Sequence, residues 1–214
     1  MSFDQSAEFA TGWVMGSVRS IDSRKHRQII DAAVVEFQEK GFSGASMDRV
    51  SARANVSKRT VYKYFSSKEN LFAAIVEIFS EYFAEMAEIQ YDPNRPIRDQ
   101  LTDLGWAEGE ILMSPEIMSM ARMLISETLR NPALAHEAEG KIDKTKAFNT
   151  LMRGAAETGQ LHLPNPDAAA SEYLSLIKGK AFWPVMLGAD IVSRDEMWDI
   201  IEKSVDMIMA RYSP

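Results

Sequence analysis

The sequence has no cysteine, which excludes a disulfide framework, Cys-ligated zinc or iron–sulfur centres and thiol catalysis together. Only 11 Gly and 8 Pro stand among 214 residues that are 46% hydrophobic, so collagen-like, low-complexity and disordered chains are excluded. Histidine is scarce too: His26, His136 and His162 lie far from metal-ligand spacing. Gly-x-Ser-x-Gly, Gly-x-Gly-x-x-Gly, P-loop and His-Glu-x-x-His patterns are all missing, so no catalytic residue or cofactor is expected. No apolar run approaches the roughly 18 residues of a membrane span. The first 22 residues carry Asp4, Glu8 and Asp22 against Arg19, the wrong charge for a secretory signal, so a cytoplasmic location with no membrane partner is expected. The net charge of −7, taken as an average, argues against nucleic acid as a partner.

What the sequence does have is helical periodicity. Residues 1–22 show no sustained period and read as a mobile arm. Ile29, Ile30, Ala33, Val34 and Phe37 form a stripe on a helix over 23–40 that Gly41 ends. Ser46 caps a short helix through Met47, Val50 and Ala54, and Asn55-Val56-Ser57 turns tightly into a helix over 58–65. Ser66-Ser67-Lys68-Glu69 reads as a capping box, Ser66 reaching forward and Glu69 back, at the start of a long helix through Phe72, Phe79 and Met86. After a linker over 92–95, further helices are expected over 97–113, 115–130 and 132–158, the last two opened by Ser114-Pro115 and Asn131-Pro132. Another runs from Asn165-Pro166 to a stop or kink near Trp183-Pro184, and a capping box at Ser193–Glu196 opens the last. The expected fold is all-α, about nine helices, in a first domain over 23–70 and a second over 71–214.

Placed along the chain, the charge changes meaning. Residues 24–68 hold ten cations and four anions, or +6, whereas 69–214 carry −11. A cationic helix face is commonly just solvated. The helix at 58–65 is more particular: Val61 and Phe65, at i and i+4, anchor it, leaving Lys58, Arg59, Tyr62 and Lys63 on other faces. So short a helix buries too little to exist for packing alone, and after a capped helix and a tight turn it reads as the recognition helix of a helix-turn-helix.

The stretch from Ser46 to Phe72, SMDRVSARANVSKRTVYKYFSSKENLF, resembles the signature of the TetR family of bacterial transcriptional regulators. The matching positions are Ser46, Asn55-Val56-Ser57, Thr60, Tyr62, Tyr64, Phe65, Lys68, Glu69 and Leu71; Asn55 and Ser51 stand where the family usually has Gly and Ala. The resemblance implies that Ser46, Tyr62, Tyr64 and Lys68 contact phosphates, with Ser57 at the head of the recognition helix. Lys58, Arg59, Thr60 and Lys63 are the candidates for base contacts, Arg or Lys to guanine and the Thr methyl to thymine. Tyr62 could instead cap the core. Arg49 and Arg53 face phosphate or simply solvent.

The remainder more loosely resembles the AefR-like ligand-binding domain, through Arg122–Glu127, Asn131-Pro132, Ala156–Leu161, Asp167–Ala170 and Leu176–Lys180. Nine of the thirteen Met lie beyond residue 96, which suits either an adaptable pocket or plain core. The candidate effector-pocket residues are Phe79, Phe83, Trp106, Met113, Arg122, Met123, Met152 and Trp183. Arg122 and Glu127 either orient a polar ligand end or pair structurally. Apolar stripes on the last two helices (Tyr173, Leu174, Ile177, Ala181 with Met186; Trp198, Ile201, Val205, Ile208) would be left exposed unless paired across a two-fold interface. A homodimer on a palindromic double-stranded DNA operator, released by a small apolar or amphipathic effector, is the expectation. The alternative is a helical small-molecule-binding protein or enzyme that uses the C-terminal pocket without DNA.

Overall fold

The computed structural model describes residues 21–86, 88–131, 134 and 145–214, and every regular element among them is a helix. The chain divides into two units between Leu71 and Phe72. In the N-terminal unit, α1 (Ile21–Gly44) breaks its regular turn at Gly41, whose φ of 70° is open to a residue without Cβ. Ile29, Ile30, Ala33 and Phe37 are fully buried, so the stripe read from the sequence is the core face. Ser46 caps α2 (Met47–Arg53) by accepting from the Arg49 N–H, and Ser57 caps α3 (Lys58–Tyr64) by accepting from the Thr60 N–H. Between them Asn55 takes φ 50°, the left-handed conformation that Asn tolerates. Val61 and Phe65 are buried, the two anchors expected of α3.

Helix α4 (Lys68–Met86) starts one residue later than the expected box. Ser67, not Ser66, accepts the Asn70 N–H, and the Asn70 side chain accepts from both serine hydroxyls. Glu69 therefore sits in the first turn. Its carboxyl is held below the usual range by its own backbone N–H and then by the Ser67 hydroxyl.

The C-terminal unit continues with α5 (Ile97–Met113), α6 (Pro115–Arg130), α7 (Lys146–Glu157), α8 (Pro166–Ala181), the single turn α9 (Trp183–Met186) and α10 (Arg194–Tyr212). The helix expected over 132–158 is described at Leu134 and then from Lys146 to Glu157, and the arm expected over 1–22 only at its last two residues, which belong to α1. Helix α8 packs against α7 and α10, and α10 also against α5. Gly105 of α5 permits that closeness: a Cβ there would lie 2.5 Å from the Tyr173 hydroxyl and 2.9 Å from Ile201 Cγ2. The apolar stripes of the last two helices are corrected by this packing. Tyr173, Leu174, Ile177, Ala181, Ile201, Val205 and Ile208 are buried within their own chain and need no second copy to cover them. Of the expected stripes Trp198 does remain exposed, and outside them so do Leu129, Trp183, Leu187 and Met207. Among the described residues no helix is long and apolar enough to cross a membrane.

Candidate nucleic-acid interface

The four anions of residues 24–68 are all spent on cations of the same unit. Asp31 pairs with Arg27 at 3.0 Å, Glu36 with Arg49 at 2.5 Å, Glu39 with Arg53 at 2.7 Å and Asp48 with Lys58 at 2.5 Å. Six cations have no carboxylate partner among the described residues: Arg24, Lys25, Lys40, Arg59, Lys63 and Lys68. The excess of +6 is therefore a real surface charge, and part of it lies on α3.

Arg59 and Lys63 stand one turn apart, at i and i+4, with Tyr62 between them at i+3. All three are exposed, Tyr62 to 51%, so α3 turns a two-cation, one-hydroxyl face to solvent. Tyr62 is not a core cap. Lys58 is folded back onto Asp48, but both groups are largely exposed and such a pair is weak, so a phosphate or base edge can compete for the lysine. Thr60 is half-buried, its hydroxyl 2.8 Å from that of Ser57. Tyr64 is half-buried, edge-on to the His26 ring at 6.1 Å. Ser46 spends its oxygen on capping α2. Lys68 Nζ reaches the carbonyls of Ser43 and Ala45 at 3.3 and 3.4 Å and stands 4.7 Å over the Phe42 ring, tying the head of α4 to the α1–α2 loop. Arg49 is the least available of the expected contacts, bound to both the Glu36 carboxylate and the Gly44 carbonyl.

In the N-terminal unit two residues were missed by sequence reasoning. Glu36, one full heptad beyond Ile29, lies on the buried stripe of α1, and a carboxylate at such a position signals an internal partner. His26 lies tilted against Phe65 with the ring centres 5.0 Å apart, a contact with no short-range sequence signal.

In the C-terminal unit the expected pocket residues separate. Phe79 and Phe83 are buried with their rings 5.3 Å apart, and Met123 and Met152 are fully buried in the core. Trp106 stacks on Trp198 at 5.7 Å, Met113 is half-buried, and Trp183 is 52% exposed. Arg122 donates to the Val185 carbonyl at 2.6 Å, and Glu127 pairs with Arg130 at 3.2 Å, so both serve the structure. Beside Phe83 lies a polar feature unforeseen from sequence: Lys178 Nζ is 5.7 Å from that ring, 5.8 Å from Phe182 and 3.2 Å from fully buried Glu108. A separate open groove of about 710 Å³ lies between α8 and α10, lined by Glu172, Leu176, Met207, Ile208, Ala210 and Arg211 among others.

A capped helix, a tight turn and a second capped helix with an exposed cationic face define a helix-turn-helix of the kind that docks on duplex DNA. Comparison with known proteins agrees. Residues 29–75 match the family described as bacterial regulatory proteins, tetR family, and residues 99–214 match the AefR-like transcriptional repressor C-terminal domain. A TetR family transcriptional regulator from Pseudomonas syringae pv. tomato shares 33% identity and superposes with a TM-score of 0.76, over 89% of this chain and 97% of that one. The HTH-type transcriptional repressor SCO4008 of Streptomyces coelicolor is 28% identical over 91% of this chain and all of its own length. The Flavonoid-responsive Regulator FrrA is 26% identical with a TM-score of 0.68, over 90% of this chain and 98% of that one. The chain belongs to the TetR family of bacterial transcriptional regulators and carries an AefR-like C-terminal domain.

Proposed function

We propose that this protein is a cytoplasmic, homodimeric repressor that reads a palindromic operator with α3 and is released by a small apolar or amphipathic effector held in the C-terminal unit. The observation that carries the DNA reading is the exposed face of Arg59, Tyr62 and Lys63, whose two cations have no carboxylate partner among the described residues. In the major groove Arg59 and Lys63 reach guanine O6 and N7, Thr60 offers its methyl to thymine, and Lys58 exchanges Asp48 for a DNA acceptor. Tyr62 on this face, with Ser46, Ser57, Tyr64 and Lys68, meets phosphates.

Dimerisation through the last two helices places two copies of α3 about 34–36 Å apart, one turn of B-DNA. Support for it comes from the groove between α8 and α10, where Leu176, Met207 and Ala210 offer apolar surface and Glu172 and Arg211 a charged rim. The effector reading is favoured by relatives that include a flavonoid-responsive regulator. Its site is placed beside Phe79 and Phe83, where Lys178 and Glu108 supply the polar contact. Release follows only if the effector binds the two states with different affinity.

The test is binding of the purified protein to the DNA upstream of its own gene, compared with random duplex from low to high salt. A specific complex whose log affinity falls linearly with log salt supports the reading; equal affinity for both duplexes at every salt concentration sinks it.

A further inference from the structure

Glu36 is buried to 0% exposure on α1, yet both ends of α2 are organised around it. Its Oε1 accepts from the Ser46 N–H at 3.3 Å and from Arg49 Nε at 2.5 Å, and its Oε2 lies 3.9 Å from Arg53. Arg53 is held from its other side by Glu39 at 2.7 Å, and Arg49 by the Gly44 carbonyl. Desolvating a carboxylate is costly, and well-packed apolar residues in place of a buried ion pair often leave a protein equally stable, so this arrangement is poorly explained as a stabiliser. It is better explained by what it does to the arginines. The first helix of a helix-turn-helix crosses the phosphate backbone, and every cation free to meet a phosphate adds sequence-independent affinity.

We propose that Glu36 is a positioning residue that sets DNA specificity: it locks the N-terminus of α2 and withholds Arg49 and Arg53 from phosphates, so that α3 decides where the protein binds. The inference rests on the reading of α3 as the base-reading helix.

Full-length protein is titrated against its upstream duplex and a random duplex across salt, for wild type, Glu36→Gln, Glu36→Gln with Arg49→Gln and Arg53→Gln, and Arg53→Gln alone. Freed arginines should steepen the Glu36→Gln salt slope on random DNA by about 0.9 for each phosphate gained, narrowing the preference for the upstream duplex; removing both arginines should return the slope to the wild-type value. A purely structural role would instead weaken both duplexes with an unchanged slope, and that outcome overturns the proposal. Should Glu36→Gln not fold, Arg53→Gln decides, since it leaves Glu36 with Arg49 and Ser46: its slope should equal wild type, and a slope shallower by about 0.9 overturns the proposal. Wild-type protein without preference for the upstream duplex removes the DNA-reading function and the proposal with it; wild-type preference with either contrary variant result removes the proposal alone.

Discussion

Individual side chains decide how much of the positive charge near the N-terminus is usable. Of ten cations over residues 24–68, those on α2 are paired with Glu36 and Glu39 while Arg59 and Lys63 on α3 have no carboxylate partner among the described residues. Two cations at nearly the same sequence distance from the turn thus have opposite fates, set by which face of which helix meets α1. A second case of single-residue control is Gly105, where an added Cβ would meet the Tyr173 hydroxyl. That hydroxyl is not free to withdraw, because it is buried and donates to the Leu101 carbonyl at 2.7 Å. Gly105→Ala is therefore expected to lower stability by about 1–3 kcal/mol, read by denaturant unfolding; an unchanged midpoint would show that α8 and α10 can both shift away at no cost.

At the scale of elements, helix boundaries were legible because they are written in local chemistry. Ser46, Ser57, Ser114, Asn165 and Ser193 all cap the helices they precede, each accepting a backbone N–H from inside the first turn. The box at Ser66–Glu69 failed by one residue because two adjacent serines offered two registers, and Asn70 settled the choice by accepting from both. Partners distant in sequence were illegible. Neither Glu108 against Lys178 nor Tyr173 against Leu101 follows from periodicity, since both depend on which helices become neighbours. The stripes of α8 and α10 show the same limit: they were visible, but their partners are α5 and α7 in the same chain rather than a second subunit.

The box at the head of α10 gives an element-scale expectation. The Ser193 N–H and then its hydroxyl hold the Glu196 carboxyl below its usual range. A lowered folded value means that the charge contributes stability above the ordinary Glu range, near pH 4.3, and that the contribution is lost as pH falls through the folded value. Glu196→Gln keeps the hydrogen bonds and removes only the charge. Its melting temperature should lie below that of wild type at neutral pH and converge with it in acid; a constant gap at all pH values would show that the charge is irrelevant.

For the whole molecule, the average charge of −7 hides a division of labour, with +6 over residues 24–68, −11 over 69–214 and −2 over 1–23. An acidic body repels the DNA backbone while the basic unit approaches it, which favours one orientation at encounter. In the proposed dimer two recognition helices meet a palindrome, and the groove between α8 and α10 is its proposed interface. Leu176→Arg, half-buried in that groove, should convert the dimer to a monomer in sedimentation and weaken operator binding by far more than tenfold, since half the contacts are lost. A variant that stays dimeric would move the interface elsewhere, with the exposed Trp183 and Leu187 of the α9 turn as the next candidates.

The central claim is that α3 reads bases through the face built on Arg59. Its most direct test compares wild type and Arg59→Ala for affinity to the upstream duplex and to random DNA at one salt concentration. Loss of a base contact should narrow the gap between the two by about 1–3 kcal/mol while leaving random binding nearly unchanged. An intact gap, with both affinities reduced alike, would place Arg59 on phosphate and contradict the account.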